Sequence, residues 1–102
     1  TMIRSLTILV LLMFGSFAKA ESDDKGAEVY NQACVMCHAA GISNAPLVHN
    51  QEQWNERKEK GMDVLLKNAI SGINQMPPRG LCMTCSDEDL QAAIDYMMSA
   101  GG

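Results

Sequence analysis

Apolar residues recur at helical spacing in two stretches of the chain, and each stretch predicts a helix with one buried face. Spacings of three and four residues put side chains on the same side of a helix, as in a helix packed against a core. The apolar positions are Met62, Leu65, Leu66, Ala69 and Ile70 in the first stretch and Leu90, Ala93, Ile94 and Met97 in the second. Both helices are therefore predicted to pack on a common core.

Residues that favour helix ends lie beside both stretches. Gly72 follows the first stretch, and glycine commonly stands where a helix ends. Ser86 precedes the second stretch and is followed by three acidic residues, 87–89, whose charges the helix dipole stabilises in a first turn. The predicted helices thus end at Gly72 and begin after Ser86.

Two further helices are predicted from weaker patterns. The first is predicted to be capped by Ser22 or Asp24 and runs up to the first cysteines. The second is a short polar helix at 51–60 with Trp54 as its main apolar anchor. Residues 39–50 and 73–85 contain the three prolines of the chain and are predicted to be loops. The fold class is therefore all-α, a small domain of about four helices with two long loops.

The N-terminal residues 1–20 have the three-part layout of a secretory signal peptide. Arg4 precedes a nine-residue apolar run at 6–14, and Ala18-Lys19-Ala20 forms an A-x-A cleavage site. An uncleaved membrane anchor would need about 20 apolar residues, and this run is shorter. We therefore expect a cleavable signal peptide, a periplasmic domain at 21–102, and no membrane span after cleavage.

The charge of the domain excludes one class of partner. The chain has eight Lys and Arg against twelve Asp and Glu, a net charge of −4, and removal of Arg4 and Lys19 takes it to −6. Phosphates would repel such a surface, so we expect no binding to nucleic acid. An oxidising compartment also favours bonded cysteines over four free thiols.

Residues 34–38 read CVMCH, the C-x-x-C-H signature of c-type haem attachment. Cys34 and Cys37 lie one helical turn apart, so both sulfurs can reach the two vinyl groups on one porphyrin edge and form thioethers. His38 follows directly and can bind iron from the proximal side. A bare CxxC pair also occurs in disulfides, redox dithiols and zinc sites. The histidine and the signal peptide favour haem.

Met76 is the predicted ligand on the other side of the iron. Pro77 disfavours helical geometry at Met76, and Pro77-Pro78 stiffens the segment that carries it. Such a segment can hold a thioether near iron at little entropic cost. Ligation by histidine and methionine fills both axial positions and raises the reduction potential, which suits electron transfer.

The other methionines and the second histidine have different predicted roles. Met62 and Met97 lie on the apolar faces of predicted helices and are expected in the core. Met36 lies inside the attachment loop, and Met83 lies between two cysteines. His49 is interpreted as a solvated loop histidine.

The second cysteine pair, Cys82 and Cys85, is followed by Ser86 and not by histidine, so a second haem is not predicted. A zinc site shared by both pairs would bridge a gap of 44 residues, against about 15–20 in the usual pattern. With the first pair attached to haem, the oxidising compartment favours a Cys82–Cys85 disulfide. This disulfide would pin the Met76 segment to the last helix.

These motifs together resemble those of the class I c-type cytochromes, and closely those of the bacterial cytochrome c5 group. The resemblance rests on GAEVYNQACVMCHAAG at 26–41, on Ala45-Pro46, and on the long segment 54–97 that contains CMTC before an acidic capped helix. It covers nearly all of the chain after residue 20. The long segment ending in the capped helix is more specific than C-x-x-C-H alone.

The resemblance implies one covalent haem c and crossing of the first and last helices near Gly26, Tyr30 and Ile94. It also implies that the Pro46 carbonyl accepts a hydrogen bond from the ligand histidine. A glycine-containing turn is expected where this chain has His49-Asn50. The site residues that it implies are Cys34 and Cys37 for attachment and His38 and Met76 for iron, with a Cys82–Cys85 disulfide.

The residues and the resemblance predict a soluble periplasmic electron carrier, not an enzyme, that passes one electron at a time between respiratory chain components. We expect membrane-associated or soluble redox proteins as partners, and a monomeric state. Two alternatives remain open at this point. One is a haem protein with a labile Met76 bond that binds ligands or resembles a peroxidase. The other is a haem-free thiol or zinc protein built on the CxxC pairs.

Overall fold

The computed structural model describes residues 21–101, with side chains from Asp24 onward, and this part of the chain is helical. The predicted signal peptide lies outside the described residues. The helices are α1 at Glu21–Val29, a π-helical segment at Tyr30–Cys34, α2 at Val35–His38, α3 at Gln51–Lys58, α4 at Met62–Ser71 and α5 at Asp87–Met98. The short 3-10 segments are Ile42–Asn44 and Pro78–Leu81. The all-α prediction is confirmed, since the only β pairing in residues 21–101 is an isolated bridge between Ile73 and Met76.

The first three helical segments form one continuous stretch from residue 21 to residue 38. Val29 and Val35, which border the π-helical segment, both have right-handed helical backbone angles, so the stretch widens without breaking. A wider turn of this kind is rare and often lies at a functional site. Here it ends at Cys34, the first cysteine of the C-x-x-C-H motif.

The caps of the other helices agree with the sequence. Ser86 accepts a hydrogen bond from the backbone N–H of Asp89, and the Asp89 side chain accepts one from the Ser86 N–H, which forms a complete capping box at the start of α5. Gly72 follows α4 with a φ of 86°, a conformation that favours glycine. The prediction for the first helix is wrong: it begins at Glu21, so Ser22 and Asp24 both lie inside it and neither is its cap.

Helices α1 and α5 cross at Gly26, which is buried. A Cβ atom at this position would overlap the carbonyl oxygen of Ala92 and would lie 2.9 Å from the Cβ of Tyr96. One turn further along α1, the Tyr30 and Tyr96 rings pack with centroids 5.3 Å apart. The implied crossing is therefore present, and it brings the backbones together closely enough that only glycine fits.

The core consists of two clusters that both involve α5. One joins α1, the second cysteine pair and α5 through Val29, Cys82, Cys85, Leu90 and Ala93. The other joins Tyr30, Trp54 and Met97. The prediction that Met97 is a core residue is confirmed, whereas the prediction for Met62 is wrong. Met62 is the first residue of α4 and is 37% exposed, because the apolar face of α4 reaches the core only further along the helix.

Within residues 21–101, none of the helices has both the length and the apolar character that a membrane crossing requires.

Candidate functional site

The first cysteine pair lies on the continuous helical stretch, at the point where the π-helical segment gives way to α2. Cys34 is partly buried and Cys37 is exposed, and neither forms a disulfide. Burial raises the pKa of the Cys34 thiol above its ordinary value. The two sulfurs are therefore available for covalent attachment of another group.

His38 is the last residue of α2 and is buried, with 7% of its surface exposed. Its Nδ1 lies 2.8 Å from the carbonyl oxygen of Pro46, so Nδ1 carries the proton and donates it to this carbonyl. Burial lowers the pKa of His38, the Pro46 carbonyl opposes this change, and the charge of Arg57 adds to it. The ring is thus a neutral imidazole whose Nε2 keeps its lone pair, which is the form that binds a metal.

Trp54 of α3 packs on the His38 ring and also holds the loop that contains Pro46. The two rings are stacked with centroids 5.8 Å apart and planes inclined by 23°. The Trp54 Nε1–H donates a hydrogen bond of 2.9 Å to the carbonyl oxygen of Leu47. The expectation that Trp54 is an apolar anchor is confirmed, since only 5% of it is exposed. Its contact with His38 was not expected.

Met76 lies in the loop between α4 and α5, and its main chain forms two hydrogen bonds with Ile73. Its N–H donates to the carbonyl of Ile73 at 2.8 Å, and its carbonyl accepts from the Ile73 N–H at 3.1 Å. A Cβ on Gly72 would lie 2.8 Å from the Met76 carbonyl, so the loop packs tightly on the end of α4. A Cβ on Gly80 would lie 3.7 Å from the Met76 Cε, which places the thioether close to the following turn.

The second cysteine pair forms the predicted disulfide between Cys82 and Cys85. Both residues are buried against Val29 and Leu90, so the disulfide is part of the core. Arg79 lies on the Met76 side of this disulfide and donates a hydrogen bond of 2.6 Å to the Cys85 carbonyl. The disulfide and the hydrogen bond from Arg79 therefore hold the loop to the residues just before α5.

His49 is not the solvated loop histidine that the sequence suggested. It is half-buried, its N–H donates to the Met97 carbonyl at 2.7 Å, and its Nδ1 lies 2.9 Å from the Ser99 carbonyl oxygen. It has a φ of 66°, a conformation more common for glycine, at the position where the resemblance led us to expect a glycine-containing turn. The bonds to the end of α5 hold His49 in this conformation, so its role is structural.

The groups on these residues fit a c-type haem. Two unpaired thiols stand one turn apart, a neutral imidazole follows them with Nε2 available, and a thioether lies on a fixed loop. Sequence reasoning missed Gln53, whose side chain contacts the loop beside His38. It also missed the contact between Trp54 and His38, because the spacing of these residues along the chain does not indicate that they meet.

Comparison with known proteins identifies the family. The family described as "Cytochrome C oxidase, cbb3-type, subunit III" matches residues 21–97. Cytochrome c5 of Azotobacter vinelandii is 43% identical over 74 residues, which cover 71% of this chain and 89% of that protein. Cytochrome c5 of Ectopseudomonas mendocina is also 43% identical, over 72 residues that cover 69% of this chain and 83% of that protein.

Solved structures give the same result. A mono-heme ferrocytochrome c from Shewanella putrefaciens is 45% identical, superposes with a TM-score of 0.65, and is matched over 74% of this chain and 93% of that one. Because these relatives are haem proteins, this chain carries one covalently bound haem c, and the haem-free alternative is wrong. The chain belongs to the class I c-type cytochromes and is similar to the cytochromes c5.

Proposed function

We propose that this protein is a periplasmic carrier of single electrons whose haem is attached through Cys34 and Cys37 and ligated by His38 and Met76. The observation that carries the proposal is the hydrogen bond between His38 Nδ1 and the Pro46 carbonyl. It directs the only remaining lone pair of the imidazole, on Nε2, away from the loop and leaves it available for iron. Bound haem supplies a one-electron couple between ferric and ferrous iron.

The residues of the chain then have separate tasks. Cys34 and Cys37 anchor the group through thioethers, so it stays bound when a ligand is lost. Burial favours the neutral form of the His38 imidazole, and the Pro46 carbonyl orients the ring so that Nε2 faces away from the loop. Met76 offers its sulfur from a loop whose main chain is already ordered, which reduces the entropic cost of ligation. These tasks require no substrate at the iron, as expected for a carrier and not for an enzyme.

The partners that we propose are redox proteins with basic or mixed surfaces. One solved relative, 38% identical with a TM-score of 0.69 over 76% of this chain and 95% of that one, is a cytochrome c in an electron transfer complex with nitrite reductase. Residues 21–102 carry a net charge of −6, since the eight basic residues lose Arg4 and Lys19 while all twelve acidic residues remain. We therefore expect a monomer that docks transiently, with association rates that fall as salt rises.

The test uses the full chain, produced in a host that exports proteins and attaches haem. We expect the coloured protein in the periplasmic fraction, colour retained after denaturation, and a near-red absorption band from sulfur–iron ligation in the oxidised protein. Met76→Ala should remove this band. Met83→Ala is the matched control, because Met83 lies in the same loop with 71% of its surface exposed, and it should keep the band.

Three results would contradict the proposal. Colour released on denaturation would exclude attachment at Cys34 and Cys37. A near-red band that survives Met76→Ala would exclude Met76 as the ligand. Rapid binding of carbon monoxide by the reduced wild-type protein would indicate an open iron position and would favour a ligand-binding or peroxidase-like protein over a carrier.

A further inference from the structure

Two consecutive peptide units of the loop after Pro46 connect His38 to α3. The first unit contains the Pro46 carbonyl and the Leu47 N–H, and the second contains the Leu47 carbonyl and the Val48 N–H. Each unit contacts His38 on one side and a side chain of α3 on the other. The two α3 residues, Gln53 and Trp54, are adjacent in the sequence.

The first unit contacts the imidazole itself. His38 Nδ1–H donates to the Pro46 carbonyl at 2.8 Å, and the N–H of the same peptide unit, on Leu47, donates to Gln53 Oε1 at 2.7 Å. The second unit contacts only the main chain of His38. Trp54 Nε1–H donates to the Leu47 carbonyl, and the Val48 N–H donates to the His38 carbonyl at 2.9 Å. Gln53 is therefore at the end of a hydrogen-bond chain that starts on the imidazole.

We propose that Gln53 is a positioning residue that lowers the reduction potential of the haem, acting on His38 through the peptide unit between Pro46 and Leu47. The inference rests on the proposed function, in which His38 is an iron ligand. The Gln53 side chain bonds to the Leu47 N–H, whereas His38 Nδ1 bonds to the Pro46 carbonyl, so Gln53 acts on the imidazole indirectly. Its effect is transmitted by polarisation of one peptide group.

The direction of the effect follows from the polarity of the chain. When Gln53 Oε1 accepts the Leu47 N–H, the peptide unit polarises and its carbonyl oxygen becomes a stronger acceptor. A stronger acceptor at Pro46 draws the Nδ1 proton of His38 and makes the imidazole ring richer in electrons. An electron-rich ligand stabilises ferric iron more than ferrous iron, which lowers the potential.

Hydrogen bonds to its N–H and to its carbonyl hold the backbone of Gln53 in place. Its own N–H donates to the Asn50 side chain at 3.0 Å in the cap of α3, and its carbonyl accepts from Arg57 Nη1 at 2.9 Å. The Leu47 N–H is a donor, so it requires the oxygen of the Gln53 amide and defines the orientation of that amide. Gln53 is also half-buried, which reduces competition from water.

The test compares three variants of the full haem-loaded chain. Gln53→Met keeps the length of the side chain and removes the acceptor, and Gln53→Glu keeps an acceptor. Asn55→Met is the control, because Asn55 is an exposed residue on the same helix. The measurements are the midpoint potential and, in the ferrous state, the proton resonance of His38 Nδ1–H. A residue that only supports the fold would not move this resonance in a variant with unchanged stability.

We expect Gln53→Met to shift the equilibrium about threefold toward ferrous haem, which is about 28 mV at 59 mV per tenfold change for one electron. The His38 Nδ1–H resonance should move upfield in the same variant. Asn55→Met should change neither quantity. Gln53→Glu should leave the potential at or below the wild-type value and the resonance at or downfield of its wild-type position.

The proposal is overturned if Gln53→Met matches Asn55→Met in both measurements, or if Gln53→Glu raises the potential. If Gln53→Met does not fold, the resonance and potential of Gln53→Glu still decide, because an upfield shift with a raised potential contradicts the chain. Failure of the proposed function can be distinguished from failure of the proposal for Gln53. It would be seen in the wild-type protein as a missing near-red band, whatever the variants of Gln53 do.

Discussion

The Trp54 ring lies stacked on the His38 ring, and the same tryptophan donates its indole N–H to the Leu47 carbonyl. One side chain therefore covers the imidazole and holds the loop whose Pro46 carbonyl orients it. A residue of a short polar helix thus determines the environment of a histidine 16 positions earlier in the chain. Loss of Trp54 should affect the stability of the fold and the position of His38 together.

Two substitutions separate the contribution of the Trp54 hydrogen bond to stability from the contribution of its packed ring. Trp54→Phe keeps a stacked ring but leaves the Leu47 carbonyl without its donor, which should lower the free energy of unfolding by about 1–3 kcal/mol. Trp54→Ala also opens a cavity and should cost about 3–5 kcal/mol. Urea denaturation of the haem-loaded protein measures both, with Asn55→Ala as an exposed control. A Trp54→Phe variant as stable as the wild type would show that the hydrogen bond is not needed.

Gly26 is required by the crossing of α1 and α5. Gly26→Ala should lower the free energy of unfolding by about 1–3 kcal/mol, because the new Cβ would overlap the Ala92 carbonyl oxygen and force the helices apart. Helix propensity alone predicts the opposite sign, a gain of up to about 1 kcal/mol. The midpoint of urea denaturation distinguishes the two, with Glu28→Ala on an exposed face of α1 as the control. A stabilised Gly26→Ala protein would refute the close crossing.

The disulfide between Cys82 and Cys85 should stabilise the fold in two ways: it restricts the unfolded chain, and its sulfurs pack in the core. Closing so short a ring is worth about 2 kcal/mol in chain entropy, and both buried sulfurs also fill the core. Replacement of both cysteines by alanine should therefore lower the free energy of unfolding by about 2–4 kcal/mol. Met83→Ala changes an exposed residue inside the same ring and should change the free energy of unfolding by less than about 0.5 kcal/mol. Equal effects of the two changes would contradict a structural disulfide.

Tyr30 should make stability depend on alkaline pH. Burial raises the pKa of the Tyr30 phenol above its ordinary value of 10.0, and Tyr96 and Cys34 act in the same direction. The effect of Cys34 ends when its sulfur forms a thioether, but burial remains. Above pH 10 the unfolded chain loses the phenolic proton while the folded chain keeps it, so stability is full below pH 10 and falls as pH rises through the folded pKa.

Urea denaturation between pH 9 and pH 11.5 measures this dependence. The comparison is with Tyr30→Phe, which keeps the ring against Tyr96 and removes the ionising group. The wild type should lose more stability than Tyr30→Phe across this range. Parallel curves for the two proteins would mean that Tyr30 ionises as easily when folded as when unfolded.

Local features of the structure were largely predictable from the sequence. Helices α4 and α5, the cap at Ser86, the loop that carries Met76 and the Cys82–Cys85 disulfide are all present as expected. Each depends on neighbours within a few residues, because apolar periodicity, a capping side chain, a proline and a short cysteine spacing act locally. The assignment of haem ligands to His38 and Met76 remains a prediction.

Features decided by residues far apart in the chain were not predictable. Met62 lies on the apolar stripe of α4 yet is exposed, because the stripe does not reveal where the core begins. His49 holds the end of α5, and its partners lie about 50 residues away.

The helical segments and the membership of the chain in the c-type cytochromes could be inferred from the residues alone, because periodicity and the C-x-x-C-H spacing are local properties of the chain. The orientation of His38, in contrast, depends on contacts between separate segments of the fold. Its ring is set by Pro46, Trp54 and, through one peptide unit, Gln53, and these contacts exist only when α3 packs beside the loop. Such contacts depend on the three-dimensional packing of separate segments, which no spacing along the chain encodes.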